Sequence, residues 1–339
     1  MLADLAAVFT LVGLTAYVVL GGADFGAGFW DLTAGGPERG APVRAMVKRG
    51  MAPVWEANHV WLIFVLVMLW TAFPEAFGSI ASTLAIPLFL AALGIVLRGG
   101  AFALKGQAAT IAEARALGAT FALSSVLTPF FLGASAGAIA AGEVPVGNAA
   151  GDLWGSWTGA LPIFVGLLAV ATGAHLAAVF LGADSHRAGR PELVAAFRAR
   201  ALGSGVAAGA LAIAGLALVN SEAPDLYDGL TSGAGLACVI GSAVAGLVTL
   251  ALELRERFEM ARYTAAAAVA AIVAGWAFAQ QPYLLPSQLT VEEAAAPDST
   301  LTALLIAATL GMALLIPALT WLFRLALSGR LAYEEEPRP

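Results

Sequence analysis

Five ionisable residues interrupt long apolar stretches of the chain, and their side chains could hold or move protons. Asp24 and Glu56 are carboxylic acids, His59 and His175 carry imidazoles, and Arg98 is a permanent cation. Ionisable groups inside membrane-spanning segments are costly, and they commonly mark ion or proton pathways. If the apolar stretches cross a membrane, acids and an imidazole at similar depth predict a proton relay from the cytoplasm towards a buried site.

The most compact group of these residues lies within Trp55-Glu56-Ala57-Asn58-His59-Val60-Trp61. Glu56 and His59 are three positions apart, so they share one face of a helix. Simpler interpretations remain open. A helix dipole favours an acid in the first turn, which could account for Glu56. Asp24 and Arg98 could form a structural ion pair, and His175 could bond to a neighbouring helix.

A second chemistry, haem ligation, is compatible with the two intramembrane histidines. His59 and His175 fall at similar depth on different apolar segments, as ligation of one haem by two histidines requires. The chain has only three histidines and one cysteine, Cys238, so it offers no CxxC site and no further redox ligand. We therefore predict no metal site within this chain. Gly22 and Gly26 are spaced as in a close helix–helix contact.

Composition identifies the class of protein. Of the 339 residues, 60% are hydrophobic and only 12% are charged, whereas soluble domains carry about 25% charged residues. This chain has too few charges to cover a soluble surface, so we predict an all-α polytopic membrane protein. A net charge of −6 excludes nucleic-acid binding, which requires a basic surface.

Nine apolar segments are long enough to cross the bilayer as helices, and they form one predicted membrane domain over residues 1–339. Long runs rich in alanine and leucine favour helices over a β-barrel, which needs alternating polar residues. The predicted spans are residues 5–30, 52–73, 77–97, 117–141, 157–182, 201–220, 230–252, 263–280 and 301–325.

The basic residues give the orientation of these spans. All 17 lysines and arginines fall in the connections after the first, third, fifth, seventh and ninth spans. Cytoplasmic loops carry the excess of Lys and Arg, so we predict an outside N-terminus and a cytoplasmic C-terminus. Asp24, Glu56, His59, Arg98 and His175 then all lie in the cytoplasmic third of the membrane.

Five sequence blocks resemble subunit II of the cytochrome bd-type quinol oxidases. Within that family, they resemble the cyanide-insensitive-like branch. The resemblance covers most of the chain, and the block that opens the second span is the most specific. The blocks are VLGGADFGAGFWDL, PVWEANHVWLI, FPEAFGS, LRGGAF and AQQPYLLPSQLTVEEAAAPDSTL.

The resemblance implies a complex in the bacterial cytoplasmic (inner) membrane that oxidises quinol and reduces dioxygen to water. Subunit II of this family has nine spans, arranged as two four-helix bundles and one peripheral helix. Haems b and d belong to the partner, subunit I, and subunit II supports that partner. A small accessory subunit and a quinone bound by subunit II are further possible partners, beside lipid and the quinol pool.

The family motifs match this sequence only in part. Asp24 matches the second acid of the first motif, but Gly21 replaces the first acid, and His59 stands where Gln is common. The resemblance implies a cytoplasmic proton path and polar partners beside it. The predicted path comprises Glu56, Asp24, His59 and Asn58, and the predicted partners are Arg98, Trp61 and His175.

A function of another class, a proton-coupled secondary transporter of a small solute, would use Asp24 and Glu56 differently. Such transporters have inverted repeats and helices that are broken near the midplane. The sequence shows neither feature, and its polar residues lie on one side of the membrane.

Overall fold

The computed structural model describes residues 1–104 and 107–327. Within these ranges the side chains at positions 37, 51–57, 323 and 326–327 lie outside the description. The predicted single domain over residues 1–339 therefore extends beyond the described part of the chain.

The described chain is almost entirely helical, with one short hairpin. The helices are α1 Leu2–Leu32, α2 Pro37–Ala72, α3 Pro74–Thr83, α4 Ala85–Leu104, α5 Ile111–Ala140, α6 Gly155–Thr158, α7 Ala160–Arg187, α8 Pro191–Glu222, α9 Pro224–Leu230, α10 Gly233–Leu254, α11 Phe258–Gln280 and α12 Asp298–Leu327. The antiparallel strands β1 Tyr283–Leu285 and β2 Leu289–Thr290 lie between α11 and α12.

Eight helices in the described ranges are long and apolar enough to cross a membrane. They are α1, α4, α5, α7, α8, α10, α11 and α12, and they confirm the all-α polytopic class. A ninth span is counted if the bent pair Asn58–Ala72 and Pro74–Thr83 is one crossing. The two helices of that pair meet at 118°.

The structure divides the predicted third span, residues 77–97, between α3 and α4. Pro87 lacks the N–H that would bond to the carbonyl of Thr83, and its ring crowds that carbonyl, so the helix is interrupted at Leu84. The sharper bend is at Phe73, immediately before Pro74, and Phe73 belongs to the core at the end of the bundle. The transporter alternative predicted a helix broken at the membrane midplane, whereas this bend lies in the core cluster that includes Val144 and Leu285 from the segments between helices.

Helix α1 packs against α2, α5 and α7, and α7 also contacts α8 and α11. Glycines allow the closest of these contacts. A Cβ atom on Gly26 would lie 1.9 Å from the carbonyl oxygen of Gly173 on α7, and a Cβ on Gly22 would meet Leu176. The predicted small-residue packing face on α1 is therefore confirmed.

Loops cover the end of the bundle where α1 begins. Phe73, Leu84, Val144 and Leu285 form one fully buried apolar cluster there. Backbone bonds join its segments, since the amide of Ala296 donates to the carbonyl of Ala72 over 2.8 Å. The opposite end, where α1 meets α2, carries the buried charges.

Candidate functional site

The central feature of the site is an ion pair between α1 and α4. Arg98 Nη1 donates to Asp24 Oδ2 and Nη2 donates to Asp24 Oδ1, both over 2.8 Å. Nη2 also donates to the backbone carbonyl of Asp24 over 3.1 Å. Both residues are only 1% exposed. This two-pronged geometry is the strongest form of arginine–carboxylate contact.

The guanidinium of Arg98 makes further contacts with α5 and α1. Its Nε donates to Ser125 Oγ over 2.8 Å, and Ser125 in turn donates to the carbonyl of Phe121. The rings of Phe25 and Phe121 lie 4.9 and 4.8 Å from the guanidinium carbon, within the range of cation–π attraction. These contacts replace the water that Arg98 loses on burial. Asp24 and Arg98 thus form the structural ion pair that the sequence left open.

Asn58 of α2 also contacts the ion pair. Its Nδ2 lies 3.5 Å from Asp24 Oδ2, and its side chain is fully buried. A Cβ on Gly21 would lie 2.9 Å from Asn58 Oδ1, so a side chain at position 21 would displace Asn58. The space at the position of the family's first acid is therefore occupied by Asn58.

Three buried polar atoms in the neighbouring packing have no hydrogen-bond partner among the described residues. They are Tyr17 Oη, Asn58 Oδ1 and Trp61 Nε1. Tyr17 and Trp61 belong to one buried cluster with Phe25, the ring that contacts Arg98. Buried polar groups of this kind are usually satisfied by ordered water. The region beside the ion pair is therefore chemically suited to hydration.

The remaining residues of the predicted proton path are Glu56 and His59. Glu56 lies on α2, but its side chain is outside the described part of the structure, so its role stays a prediction. His59 is half-buried on the same helix. The structure brings Asp24, Asn58 and Arg98 together, and it places Trp61 beside them.

His175 lies in a different environment, between α7, α8 and α10. Its Nδ1 is 3.1 Å from the carbonyl oxygen of Ala201, and its Nε2 is 3.7 Å from Glu253 Oε1. Both ring nitrogens thus face protein atoms of α8 and α10. This arrangement does not favour ligation of a haem shared with His59.

Sequence reasoning missed Glu253. The predicted seventh span ended at residue 252, which left Glu253 in a connection, whereas α10 continues to Leu254 and buries the acid. The one sequence feature that could have indicated a buried Glu253 was its position between two leucines, Leu252 and Leu254, before the charged loop. In the described ranges, no three His, Cys, Asp or Glu side chains converge as a metal site.

A bundle of long apolar helices around a fully desolvated ion pair defines a polytopic membrane subunit, with its polar chemistry near one end of the bundle. The family model for cytochrome bd terminal oxidase subunit II matches residues 2–326. The chain belongs to this family. Family and apolar helices together place it in the bacterial inner membrane as a multi-pass protein.

Individual relatives agree with this assignment. The chain is similar to a solved structure of bd oxidase from Geobacillus thermodenitrificans, with a TM-score of 0.74 and 25% identity over 96% of this chain and 98% of that chain. It is 28% identical over 130 residues to cytochrome bd ubiquinol oxidase subunit 2 of Bacillus subtilis. That alignment spans 38% of this chain and 38% of the relative.

Proposed function

We propose that this chain is the non-haem subunit II of a bd-type terminal oxidase that oxidises quinol and reduces dioxygen to water. The observation that carries the proposal is the family match over residues 2–326. The structural likeness over 96% of the chain supports it. Haems b and d belong to a partner subunit I, and this chain stabilises that partner in the membrane.

We also propose a topology of nine spans, grouped as two four-helix bundles and one peripheral helix. The apolar part of α2 supplies the second crossing. The N-terminus is outside and the C-terminus is cytoplasmic, because all 17 lysines and arginines then lie on one side. The ion pair of Asp24 and Arg98 lies near the cytoplasmic end in this orientation.

We propose a division of roles within a cytoplasmic proton path. Both Asp24 oxygens accept hydrogen bonds from Arg98, so Asp24 acts as a fixed counter-ion beside the path. Glu56 and His59 carry the protons, and Asn58 of the same helix contacts Asp24. Reduction of dioxygen to water consumes protons, which cannot cross apolar protein without such groups.

The test of the oxidase proposal is purification of the complex through an affinity tag placed after Pro339. We expect co-purification of a haem-bearing partner, a reduced-minus-oxidised spectrum with b- and d-type haem bands, and quinol-dependent oxygen consumption. Isolation of the chain without a haem-bearing partner, or with a stoichiometric haem of its own, contradicts the proposal.

The topology has a separate test. A reporter fused after Pro339 should be cytoplasmic, and one inserted beside the exposed Glu292, within residues 285–298, should be external. Finding both reporters on the same side of the membrane excludes the nine-span topology while leaving the family assignment intact.

A further inference from the structure

A second buried acid lies away from the site described above. Glu253, in the last turn of α10, is 0% exposed, and neither of its carboxylate oxygens has a hydrogen-bond donor among the described residues. An ionised carboxylate without donors in an apolar site costs several kcal/mol. Glu253 must therefore carry a proton or share one with a neighbour.

The neighbour with which it can share a proton is His175 of α7. Its Nε2 lies 3.7 Å from Glu253 Oε1. The other ring nitrogen, Nδ1, lies 3.1 Å from the carbonyl oxygen of Ala201, which can only accept, so Nδ1 is the protonated donor there. This bond fixes the tautomer and directs Nε2 towards the acid.

Glycine and threonine residues complete the environment of the pair. A Cβ on Gly205 of α8 would lie 2.8 Å from His175 Cε1, so Gly205 makes room for the imidazole. Thr249, one turn before Glu253, bonds to the carbonyl of Ala245 and to Thr264. Its hydroxyl is therefore engaged elsewhere.

The charged groups on the helices around the pair have other partners. On α7, Arg187 contacts Asp184 and Glu259. The remaining pairs are Arg198 of α8 with Glu256, Arg200 of α8 with the Ala196 carbonyl and the Trp30 ring, and Arg262 of α11 with Glu259. None of these contacts involves Glu253, whose facing base is His175.

We propose that Glu253 and His175 form a second proton-binding site, in which one exchangeable proton is held between Glu253 Oε1 and His175 Nε2. With this proton the pair is neutral, as a carboxylic acid beside an imidazole, because the buried carboxylate has no hydrogen-bond donor among the described residues to stabilise its charge. Loss of the proton leaves a carboxylate beside a neutral imidazole. The ligand of the site is the proton itself.

The histidine is the member of the pair that reaches the surface of this chain. The side chain of His175 is 13% exposed, whereas that of Glu253 is fully buried. The bond from Nδ1 to Ala201 keeps Nε2 facing Oε1 at 3.7 Å. A proton passes between them when a side-chain shift of under about 1 Å brings the two atoms within hydrogen-bond distance. The site lies between α7, α8 and α10, and it does not depend on the oxidase activity proposed above.

The test is pH-dependent infrared difference spectroscopy of the complex purified through this chain, in ordinary and heavy water. We expect a carbonyl stretch from a protonated carboxyl group that shifts in heavy water and disappears in Glu253→Gln. The control is Glu256→Gln, which removes an exposed acid three residues away and should leave the band unchanged. His175→Asn should keep the band and move its titration midpoint by about one pH unit or more.

Two results overturn the proposal. One is a spectrum in which Glu253→Gln removes no carboxyl band between pH 5 and pH 10. The other is a Glu253 band whose titration is the same with and without His175. If the complex with Glu253→Gln does not assemble, the His175→Asn variant provides the test. A carboxyl band with the same titration midpoint in this variant and in the wild type then excludes a shared proton. Neither readout requires oxidase turnover, so failure here and failure of the oxidase proposal are distinguishable.

Discussion

The molecule contains two buried acid–base pairs that differ in how their charges are satisfied. Asp24 meets Arg98 with two bonds of 2.8 Å, and the same guanidinium bonds to Ser125 and lies between two phenylalanine rings. Glu253 meets His175 across 3.7 Å and has no hydrogen-bond donor among the described residues. The first pair is a permanent ion pair, whereas the second needs a mobile proton to be neutral.

This difference follows from the chemistry of the two bases. Arginine cannot give up its proton in a protein, so its partner must remain charged and the surroundings must supply every bond. Histidine exchanges a proton near neutral pH. A pair of histidine and acid can therefore become neutral by binding a proton, without further hydrogen bonds from its surroundings. The structure shows several contacts around the arginine pair, whereas the histidine pair has, within the described ranges, one hydrogen bond, from His175 Nδ1 to the Ala201 carbonyl.

The largest effect should come from removing the base of the permanent pair. Arg98→Leu strands the Asp24 carboxylate in an apolar site, and we expect a loss of about 3–5 kcal/mol, which would prevent assembly of the complex. His175→Leu should cost much less, about 1 kcal/mol, because Glu253 can take up a proton. Thermal unfolding and the yield of assembled complex measure both.

Equal losses in Arg98→Leu and His175→Leu would contradict the comparison, since they would imply that both pairs carry fixed charges. Arg198→Leu is the control, because it removes an arginine that does not belong to a buried pair. Arg198 is exposed and pairs with exposed Glu256, so its removal should cost under about 1 kcal/mol.

The next effect concerns catalysis near the first pair. Glu56→Gln preserves size and polarity but removes the titrating group, so oxygen consumption per haem should fall roughly a hundredfold, as for loss of a positioned acid–base group. The haem spectrum and subunit ratio should stay normal, and Glu56→Asp should retain more activity. Glu75→Gln, an exposed acid on α3, is the control.

Normal turnover in Glu56→Gln would remove Glu56 from the proton path. Loss of haem and partner together in the same variant would assign Glu56 to assembly instead. In either case the ion pair of Asp24 and Arg98 would be a structural feature without a proton route beside it.

A smaller effect is expected at the α1–α7 contact, which connects the helices of the two pairs. The Cβ in Gly26→Ala would lie 1.9 Å from the carbonyl oxygen of Gly173, so the helices must separate, at a cost of about 1–3 kcal/mol. Gly209→Ala on α8 meets nothing within 4 Å and should be neutral or stabilising. Comparable thermal stabilities of these two variants would contradict a tight α1–α7 contact.

The smallest expected effect on stability concerns Glu293, an exposed acid that, unlike Glu253, has hydrogen-bond donors among the described residues. Glu293, in the loop between β2 and α12, accepts bonds from the amide and the hydroxyl of Thr290, and these bonds lower its pKa. A lowered pKa stabilises the fold above the unfolded-state pKa of about 4.3, and this contribution disappears as the pH falls through the lower folded-state value. Glu293→Gln should therefore reduce thermal stability slightly at pH 7 and leave it unchanged in strong acid. An equal effect at both pH values would exclude a charge-dependent bond.

Much of the fold could be predicted from the sequence, because hydrophobic length is a local property. The long apolar runs placed the ends of α1, α7, α10, α11 and α12 within about five residues, whereas α5 and α8 begin six and ten residues before their predicted starts. The third span was divided differently, because the interruption at Leu84 depends on one missing N–H at Pro87. The sequence also offered the pairing of Asp24 with Arg98, and the structure shows that contact.

Composition and apolar run lengths alone determined that this is a polytopic helical membrane protein. Local spacing sufficed for this, since each span is defined by its own residues. Only the tertiary structure decided which polar groups meet. Gly21 admits Asn58, Ser125 and two aromatic rings enclose Arg98, and α10 buries Glu253 against His175. These contacts join residues far apart in the chain, and whether a buried charge is satisfied depends on distances of a few tenths of an ångström that no sequence spacing specifies.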